Sequence, residues 1–468
     1  MNFQITGTYT DLYQLAMGQA YYRDGSHKMP ATFDYFFRKL PFHNGYVVFA
    51  GLADVLDMLE SLRFTSEDID YLGKQGFNAD YLEMLRNFRF RGTIHAPREG
   101  DVIFPAAPVL RVEGTMLEVQ LVETLILNTL NFQSLIATKA ARIRMVAGDS
   151  VLSDFGLRRA QGFGAITASR AAVIGGFDST SNVYAAEKYG LKAEGTMAHS
   201  FIQLYGDELQ AFRKFAEARP KNSVFLVDTY NTLQSGVPNA IKVAKEMEER
   251  GERLKAIRLD SGDLSFLAQR ARAMLDKAGL EYVKIAASNQ LDEFVVRSLR
   301  QQNAPIDIFG VGTNLITGHP DGALDGVYKL VEADGKPRIK VSENIQKVTL
   351  PGNKQVHRLL NEDGSFFGVD ALSLSAEGVP THIINPHEAH KTMQCAGINS
   401  EPLLKLVMKN GEAINRIDSI AEIKNYASQR LSMLPPEYKR FENPHVYKVG
   451  ISEGIKAMRD ELLKKHAF

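Results

Sequence analysis

The chain has 468 residues, too many for one ordinary domain, so two or three packed units are expected. Hydrophobic residues make up 44% and charged residues 24%, which excludes wholesale disorder, and Lys plus Arg equals Asp plus Glu at 55 each, which leaves no field for nucleic acid or an anionic membrane. The single cysteine, Cys395, excludes an internal disulfide framework and a multi-cysteine zinc site, and fits a reducing compartment.

The N-terminal stretch MNFQITGTYTDLYQLAMGQAYYRDG carries polar groups every few residues and no apolar h-region, so it does not read as a signal peptide. Leu12–Tyr22 and Gly51–Leu62 read as helices. Ala31–Phe37 and Thr93–Val112 read as strand-like runs, the second punctuated by Pro97, Gly100, Pro105 and Pro108. Residues 1–135 therefore predict an α+β domain. Leu117–Ala147 is the most apolar long stretch, but Glu118, Gln120, Glu123, Asn128, Asn131 and Gln133 interrupt it before the ~18 apolar residues a membrane helix needs. It predicts a long, largely buried helix, no membrane span and a cytoplasmic protein.

A regular pattern follows, and residues 136–340 predict an α/β barrel. Short apolar runs end in small, polar or acidic residues: Val151–Asp154, Thr196–His199, Val224–Asp228, Ala256–Asp260, Val283–Ser288, Ile306–Gly310 and Val327–Val331. Helical periodicity fills Val237–Arg250, Leu264–Lys277 and Asp292–Gln301 between them. Successive run ends lie roughly 20–30 residues apart, the length of a βα unit, which predicts a parallel sheet closed or nearly closed into a barrel. Residues 341–468 are more polar and turn-rich, end in helical segments, and are expected to return to the N-terminal domain.

In a parallel barrel, reactive groups gather at the carboxyl ends of the strands. Here those ends carry FGLRRAQG (155–162), GGFDSTSN (175–182), GTMAHS (195–200), VDTYNT (227–232), RLDSGD (258–263), ASNQ (287–290) and FGVGTN (309–314). Turns alone favour Asp, Ser, Gly and Asn. Seven such loops together, with arginines and a histidine among them, point to a ligand site. The glycine pair in FGVGTN lets backbone N–H groups approach a phosphate, although a plain tight turn explains it about as well.

TDLYQ (10–14), FGLRR (155–159), GFDSTSN (176–182), GTMAHSF (195–201), VDTYNT (227–232), RLDSGDL (258–264) and GVGTNL (310–315) together resemble the nicotinate phosphoribosyltransferase family. They stand in the family's order and reach Leu315, with no motif recognised in the C-terminal third. The resemblance implies an irregular α/β barrel of the decarboxylase-like phosphoribosyltransferase class. It also implies transfer of the phosphoribosyl group of phosphoribosyl pyrophosphate to nicotinate, releasing pyrophosphate and coupled to ATP hydrolysis.

The same resemblance implies roles. His199 is the histidine phosphorylated by ATP, a task suited to a neutral imidazole nitrogen. Read alone, it is as easily a satisfied polar residue. Arg258 and Thr196 hold nicotinate, the guanidinium fork matching a planar carboxylate. Phe155 stacks on one ring face and Tyr13, from a neighbouring subunit, on the other, which implies a homodimer with shared sites. By residue type alone both aromatics are core candidates. Arg158, Asp228, Asp260, Ser288, Gly310, Gly312 and Thr313 form the phosphoribosyl and phosphate set. Mg²⁺ accompanies the phosphates, with Asp228 or Asp260 as ligands, or with ribose hydroxyls or an arginine as the partners of those carboxylates instead. No zinc is expected.

One position bears on substrate choice. Nicotinamide-using relatives carry an aspartate where this chain aligns Ser181; a carboxylate there repels nicotinate, whereas serine can donate to it. Asp178, three residues earlier, is the residue a slipped alignment would substitute. The competing readings are a nicotinamide phosphoribosyltransferase, a catalytically silent nucleotide-binding barrel, and a phosphate-substrate aldolase. The last needs a strand-end Schiff-base lysine, for which Lys284 and Lys329 are the candidates.

Overall fold

The structure is a computed structural model that describes residues 5–343, 347–414 and 418–466, so the leading MNFQ of the N-terminal stretch lies outside the described residues. The chain divides into two compact units, Met1–Leu135 with Ala323–Phe468, and Ile136–Gly322.

The first unit is α+β. Its seven-stranded antiparallel sheet runs in the order Lys336–Pro337, Gly326–Ala333, Pro30–Phe37, Leu110–Thr115, Thr93–Ala96, Lys405–Lys409, Glu412–Ala413. The C-terminal segment thus extends the sheet begun by the N-terminal one, through pairing of Lys405–Lys409 with Thr93–Ala96. The run Val327–Val331, expected in the barrel, belongs here and pairs antiparallel with Pro30–Phe37. Phe33, Tyr35 and Phe37 alternate into the buried core cluster that also holds Val55 and Leu59 of the helix Leu52–Ser61. A six-stranded sheet from the C-terminal segment is anchored by buried charge: Arg358 pairs with Asp101 and Asp370, each at 3.0 Å, and Arg430 pairs with Asp101 at 2.9 Å. Removing Asp101 would take a carboxylate from two buried guanidiniums, leaving Arg358 on Asp370 and Arg430 on Glu401.

The long apolar stretch forms two helices, Met116–Leu121 and Glu123–Ala147, rather than one. At the junction Glu123 turns inward and accepts from Gln14 at 2.7 Å and Gln120 at 3.1 Å. No helix among the described residues is long and apolar enough to cross a membrane.

The second unit holds six parallel strands in the order Ser179–Thr180, Val151–Asp154, Ile308–Val311, Lys284–Ser288, Ala256–Leu259, Val224–Leu226. Helices Val237–Glu249, Leu264–Lys277 and Glu293–Gln301 connect successive strands, each turning an apolar face inward. The helix Glu293–Gln301 is tied down by a fully buried cluster, with Glu293 paired to Lys139 at 2.5 Å and Arg142 at 2.9 Å. Thr196–His199, expected as a strand, is a loop that leads into the helix His199–Tyr205. Its backbone meets the sheet at a parallel bridge between Ala193 and Thr180, then departs. Val224, on the opposite edge strand, and the 192–196 stretch nevertheless line the same interior cavity. The sheet therefore wraps round it, one stave being a loop. That makes the barrel irregular.

Candidate active site

The parallel register brings the strand-end motifs to one level. Leu226 aligns with Arg258, Arg258 with Ala286, Ser288 with Gly310, and Val311 with Asp154. Asp154 in turn aligns with Thr180. Asp228, Asp260, Ser288, Gly310, Phe155 and Ser181 consequently stand at the same carboxyl edge, contributed by all six strands.

Arg258 is the hub. Its Nε donates to Ser288 Oγ, its Nη1 to Thr196 Oγ1 and its Nη2 to Asp260 Oδ1, each at 2.8 Å. Three of its five N–H groups are thus committed to protein, which fixes the guanidinium plane and leaves two donors for a ligand. The same guanidinium lies over the Phe155 ring, 5.5 Å from its centroid. Ser288 also donates through its hydroxyl to Asp260 Oδ1. Partial burial works to raise the Asp260 pKa, but the Ser288 hydroxyl and the Arg258 guanidinium, helped by His199, outweigh it and hold the carboxyl below its ordinary range.

His199 begins a short helix beside this hub. Its Nδ1 lies 3.0 Å from Thr229 Oγ1 and its Nε2 3.7 Å from Asp260 Oδ2, and its side chain keeps 40% of its surface exposed. The ring is oriented from both nitrogens yet reachable. Asp228 Oδ2 accepts from the Asp260 backbone N–H at 2.7 Å and from Ser261 Oγ at 2.6 Å. Its Oδ1 is buried without a hydrogen-bond partner among the described residues. An unpaired buried carboxylate oxygen is costly, and a hard cation or a ribose hydroxyl would satisfy it.

A Cβ at Gly310 would overlap the Phe155 ring. Glycine thus lets the aromatic lie flat against the strand end. Ser181 is half-buried, and its N–H donates to the Asp154 carbonyl at 2.8 Å. Asp178 is otherwise engaged, pairing with Arg144 at 2.5 Å and accepting from the Leu152 N–H at 2.9 Å. Arg158 and Thr313 are exposed, with Gly312 just before the one-turn helix Thr313–Ile316. Tyr13 lies in the first unit on the helix Leu12–Asp24, with 48% of its surface exposed. Partial burial, with Glu123 and Asp11 nearby, pushes its phenol up to about 12, so it stays neutral.

The lysines are misplaced for Schiff-base chemistry. Lys284 begins its strand and pairs with Asp307 at 3.1 Å, and Lys329 belongs to the first unit. Sequence reasoning passed over three contributors. Thr229 and Ser261 each follow a named aspartate within its own motif, and that adjacency was the available signal. Asp154 is buried and accepts from Gly156 N–H at 2.8 Å and from the Ser169 and Thr180 hydroxyls, each at 2.7 Å. It pins both loops that carry Phe155 and Ser181, and burial raises its pKa against those three donors.

Three family profiles match the chain: nicotinate phosphoribosyltransferase (NAPRTase) N-terminal domain over residues 8–131, the NAPRTase family over 150–364, and the NAPRTase C-terminal domain over 353–459. The last covers the region in which no motif had been recognised. A nicotinate phosphoribosyltransferase of Bacillus subtilis is 45% identical over 455 residues, covering 95% of this chain and 92% of its own. One from Dictyostelium discoideum is 37% identical, covering 97% and 88%. The crystal structure of human nicotinic acid phosphoribosyltransferase superposes with a TM-score of 0.86 at 34% identity, over 97% of this chain and 99% of that one. A nicotinate-nucleotide pyrophosphorylase from Pyrococcus furiosus gives 0.72 at 26% identity, over 92% and 98%.

Proposed function

The chain belongs to the nicotinate phosphoribosyltransferase family, and on that premise we propose how its second unit joins nicotinate to phosphoribosyl pyrophosphate. The chain is an enzyme of NAD biosynthesis acting on small molecules, and the nicotinamide-using alternative is not favoured by its named relatives. The observation that carries the mechanistic reading is the Arg258 hub, a guanidinium held by Thr196, Ser288 and Asp260 over an aromatic face.

In this reading nicotinate lies against Phe155, and its carboxylate takes the two free donors of Arg258 with Thr196 and Ser181 beside them. The ring nitrogen attacks C1′ of the ribose; an N–C bond forms, the C–O bond to pyrophosphate breaks, and the leaving group takes the electron pair. Asp228, Asp260, Arg158, Ser288, Gly310, Gly312 and Thr313 hold the phosphoribosyl and phosphate groups. Mg²⁺ accompanying those phosphates would be held by the free Asp228 Oδ1 and by Asp260, neutralising charge on the leaving group. ATP is coupled through His199: an imidazole nitrogen attacks the γ-phosphorus, an N–P bond forms, ADP departs, and water later returns the phosphate to solution. The neutral ring keeps an in-plane lone pair on one nitrogen, and the doubly protonated imidazolium keeps none, so the step needs the neutral ring.

The active assembly is a homodimer in which Tyr13 covers the second ring face of a partner's site. The exposure of Leu12 and Tyr13 on the first unit and of Val183, Tyr184 and Leu204 on the second supports an apolar contact with another copy.

Mass-spectrometric detection of nicotinate mononucleotide from nicotinate, phosphoribosyl pyrophosphate, ATP and Mg²⁺, with equimolar nicotinamide as competitor, tests the reading. The acid mononucleotide is the expected product. Predominant amide mononucleotide would overturn it.

A further inference from the structure

The wrapped sheet of the second unit encloses a cavity of about 110 Å³ that runs the length of the strands. Phe155, Arg258 and Gly310 line it at the carboxyl end, where the strand-end motifs stand. Val151, Val224 and Lys255 line it at the other end, the first two opening their strands and Lys255 preceding Ala256. That far end carries paired charge. Glu194 pairs with Lys255 at 3.0 Å and with Lys192 at 2.8 Å, and both Glu194 and the two lysines line the cavity. Their side chains keep 25%, 35% and 67% of their surface, so the cluster sits where the cavity meets solvent.

Such partly exposed pairs add little to stability, commonly about 0–1 kcal/mol. Their position is what distinguishes them. At this end the lining is three charged side chains joined by ion pairs. We propose that the Lys192–Glu194–Lys255 cluster is a length stop that sets which pyridine acids the enzyme accepts. The inference rests on the reading that nicotinate lies against Phe155 with its carboxylate on Arg258. The ring nitrogen then faces the transferred ribose at the carboxyl edge, and the opposite ring edge, positions 4 and 5, faces down the cavity. A ring with a small substituent fits; a chain at position 5 runs into Glu194.

The test compares kcat/KM for nicotinate and for nicotinate bearing an n-propyl group at ring position 5. The double variant Glu194→Ala/Lys255→Ala removes the stop and conserves net charge. It is expected to raise the propyl-to-parent ratio about tenfold or more, the scale on which pockets discriminate added methylenes, while parent turnover stays within about threefold. The charge-reversed pair Glu194→Lys/Lys255→Glu rebuilds the closure and should return the ratio to its wild-type value. A ratio that moves less than about twofold in a folded double variant overturns the proposal. If that variant does not fold, Glu194→Ala alone decides: it removes the side chain that the substituent meets and should raise the ratio about fivefold or more, and an unchanged ratio rejects the stop. Wild-type failure to convert nicotinate would instead remove the functional reading, so the two failures are separable.

Discussion

Thr229 holds His199 from the neighbouring strand end, its Oγ1 lying 3.0 Å from the imidazole Nδ1. The contact links two motifs thirty residues apart and fixes the ring's plane. It predicts a graded series. Acid-labile phosphate from γ-labelled ATP should be absent in His199→Ala. It should form about 2- to 10-fold more slowly in Thr229→Val, the value of one net hydrogen bond, and near the wild-type rate in Thr229→Ser. Labelling of His199→Ala at the wild-type level would remove His199 from the role. Equal rates in Thr229→Val and the wild type would show that the hydroxyl orients nothing.

Acid should loosen the site through Asp260. Its carboxyl is held below the ordinary value by Ser288 and Arg258 despite partial burial. A carboxyl depressed on folding contributes stability that is present above its unfolded pKa of about 3.9 and is lost as pH falls through the lower folded value. Asp260→Asn carries no such charge. The stability difference between wild type and Asp260→Asn, from urea unfolding between roughly pH 6 and pH 3, should therefore shrink as pH falls. A difference independent of pH would mean that the Arg258–Asp260 pair is not felt electrostatically.

Much of this arrangement could be read from residue order, for a physical reason. Parallel strands buried on both faces are largely apolar, and they end where the chain can turn, so Val224–Leu226, Ala256–Leu259 and Lys284–Ser288, with Arg258 and Lys284 the exceptions, announce themselves as apolar runs closed by Asp or Ser. The failures share a cause as well. Ser179–Thr180 is a strand of two polar residues whose hydroxyls bond inward to Ser153 and Asp154, so no apolar run marks it. Thr196–His199 has a strand's composition, but Arg258 takes the Thr196 hydroxyl and the backbone leaves the sheet after Ala193. Val327–Val331 is an ordinary apolar strand, and nothing in its own residues says that it pairs with Pro30–Phe37 rather than with the barrel. Local pattern gives the element; the partner is a non-local fact.

The proposed sharing of sites between copies makes a complementation prediction. Tyr13 stands exposed on the first unit, its phenol pushed up to about 12 and therefore neutral, available as a ring for a partner's ligand. Tyr13→Ala and His199→Ala should each be inactive or nearly so. Mixed under conditions of subunit exchange, they form hybrids in which one of the two sites keeps both residues. Activity should recover toward about a quarter of wild type, since random mixing makes about half the dimers hybrid and each hybrid has one intact site. No recovery, with exchange demonstrated independently, would place both residues of a site in one chain.

The acid-over-amide preference should turn on Ser181. The neighbouring carboxylate that could have confused the assignment, Asp178, is committed to Arg144 and the Leu152 N–H, which leaves Ser181 as the position in this loop to test. Ser181→Asp places a second anion near the nicotinate carboxylate. Unit charges 4 Å apart at an effective dielectric of 20 repel by about 4 kcal/mol, and even a net 2–3 kcal/mol lowers kcat/KM for nicotinate by roughly thirty- to two-hundredfold. Nicotinamide is neutral and its NH₂ can donate to the new carboxylate, so its kcat/KM should fall far less or rise. Ser181→Ala is the control: it removes a hydrogen bond without adding charge and should lower both values modestly, leaving their ratio much nearer wild type. The ratio, rather than either constant, is the measurement that matters, because misfolding or a shifted loop would depress both substrates together. A nicotinate-to-nicotinamide ratio that stays within about threefold of wild type in Ser181→Asp would mean that Ser181 does not face the pyridine substituent, and that discrimination rests on Arg258 and Thr196 alone.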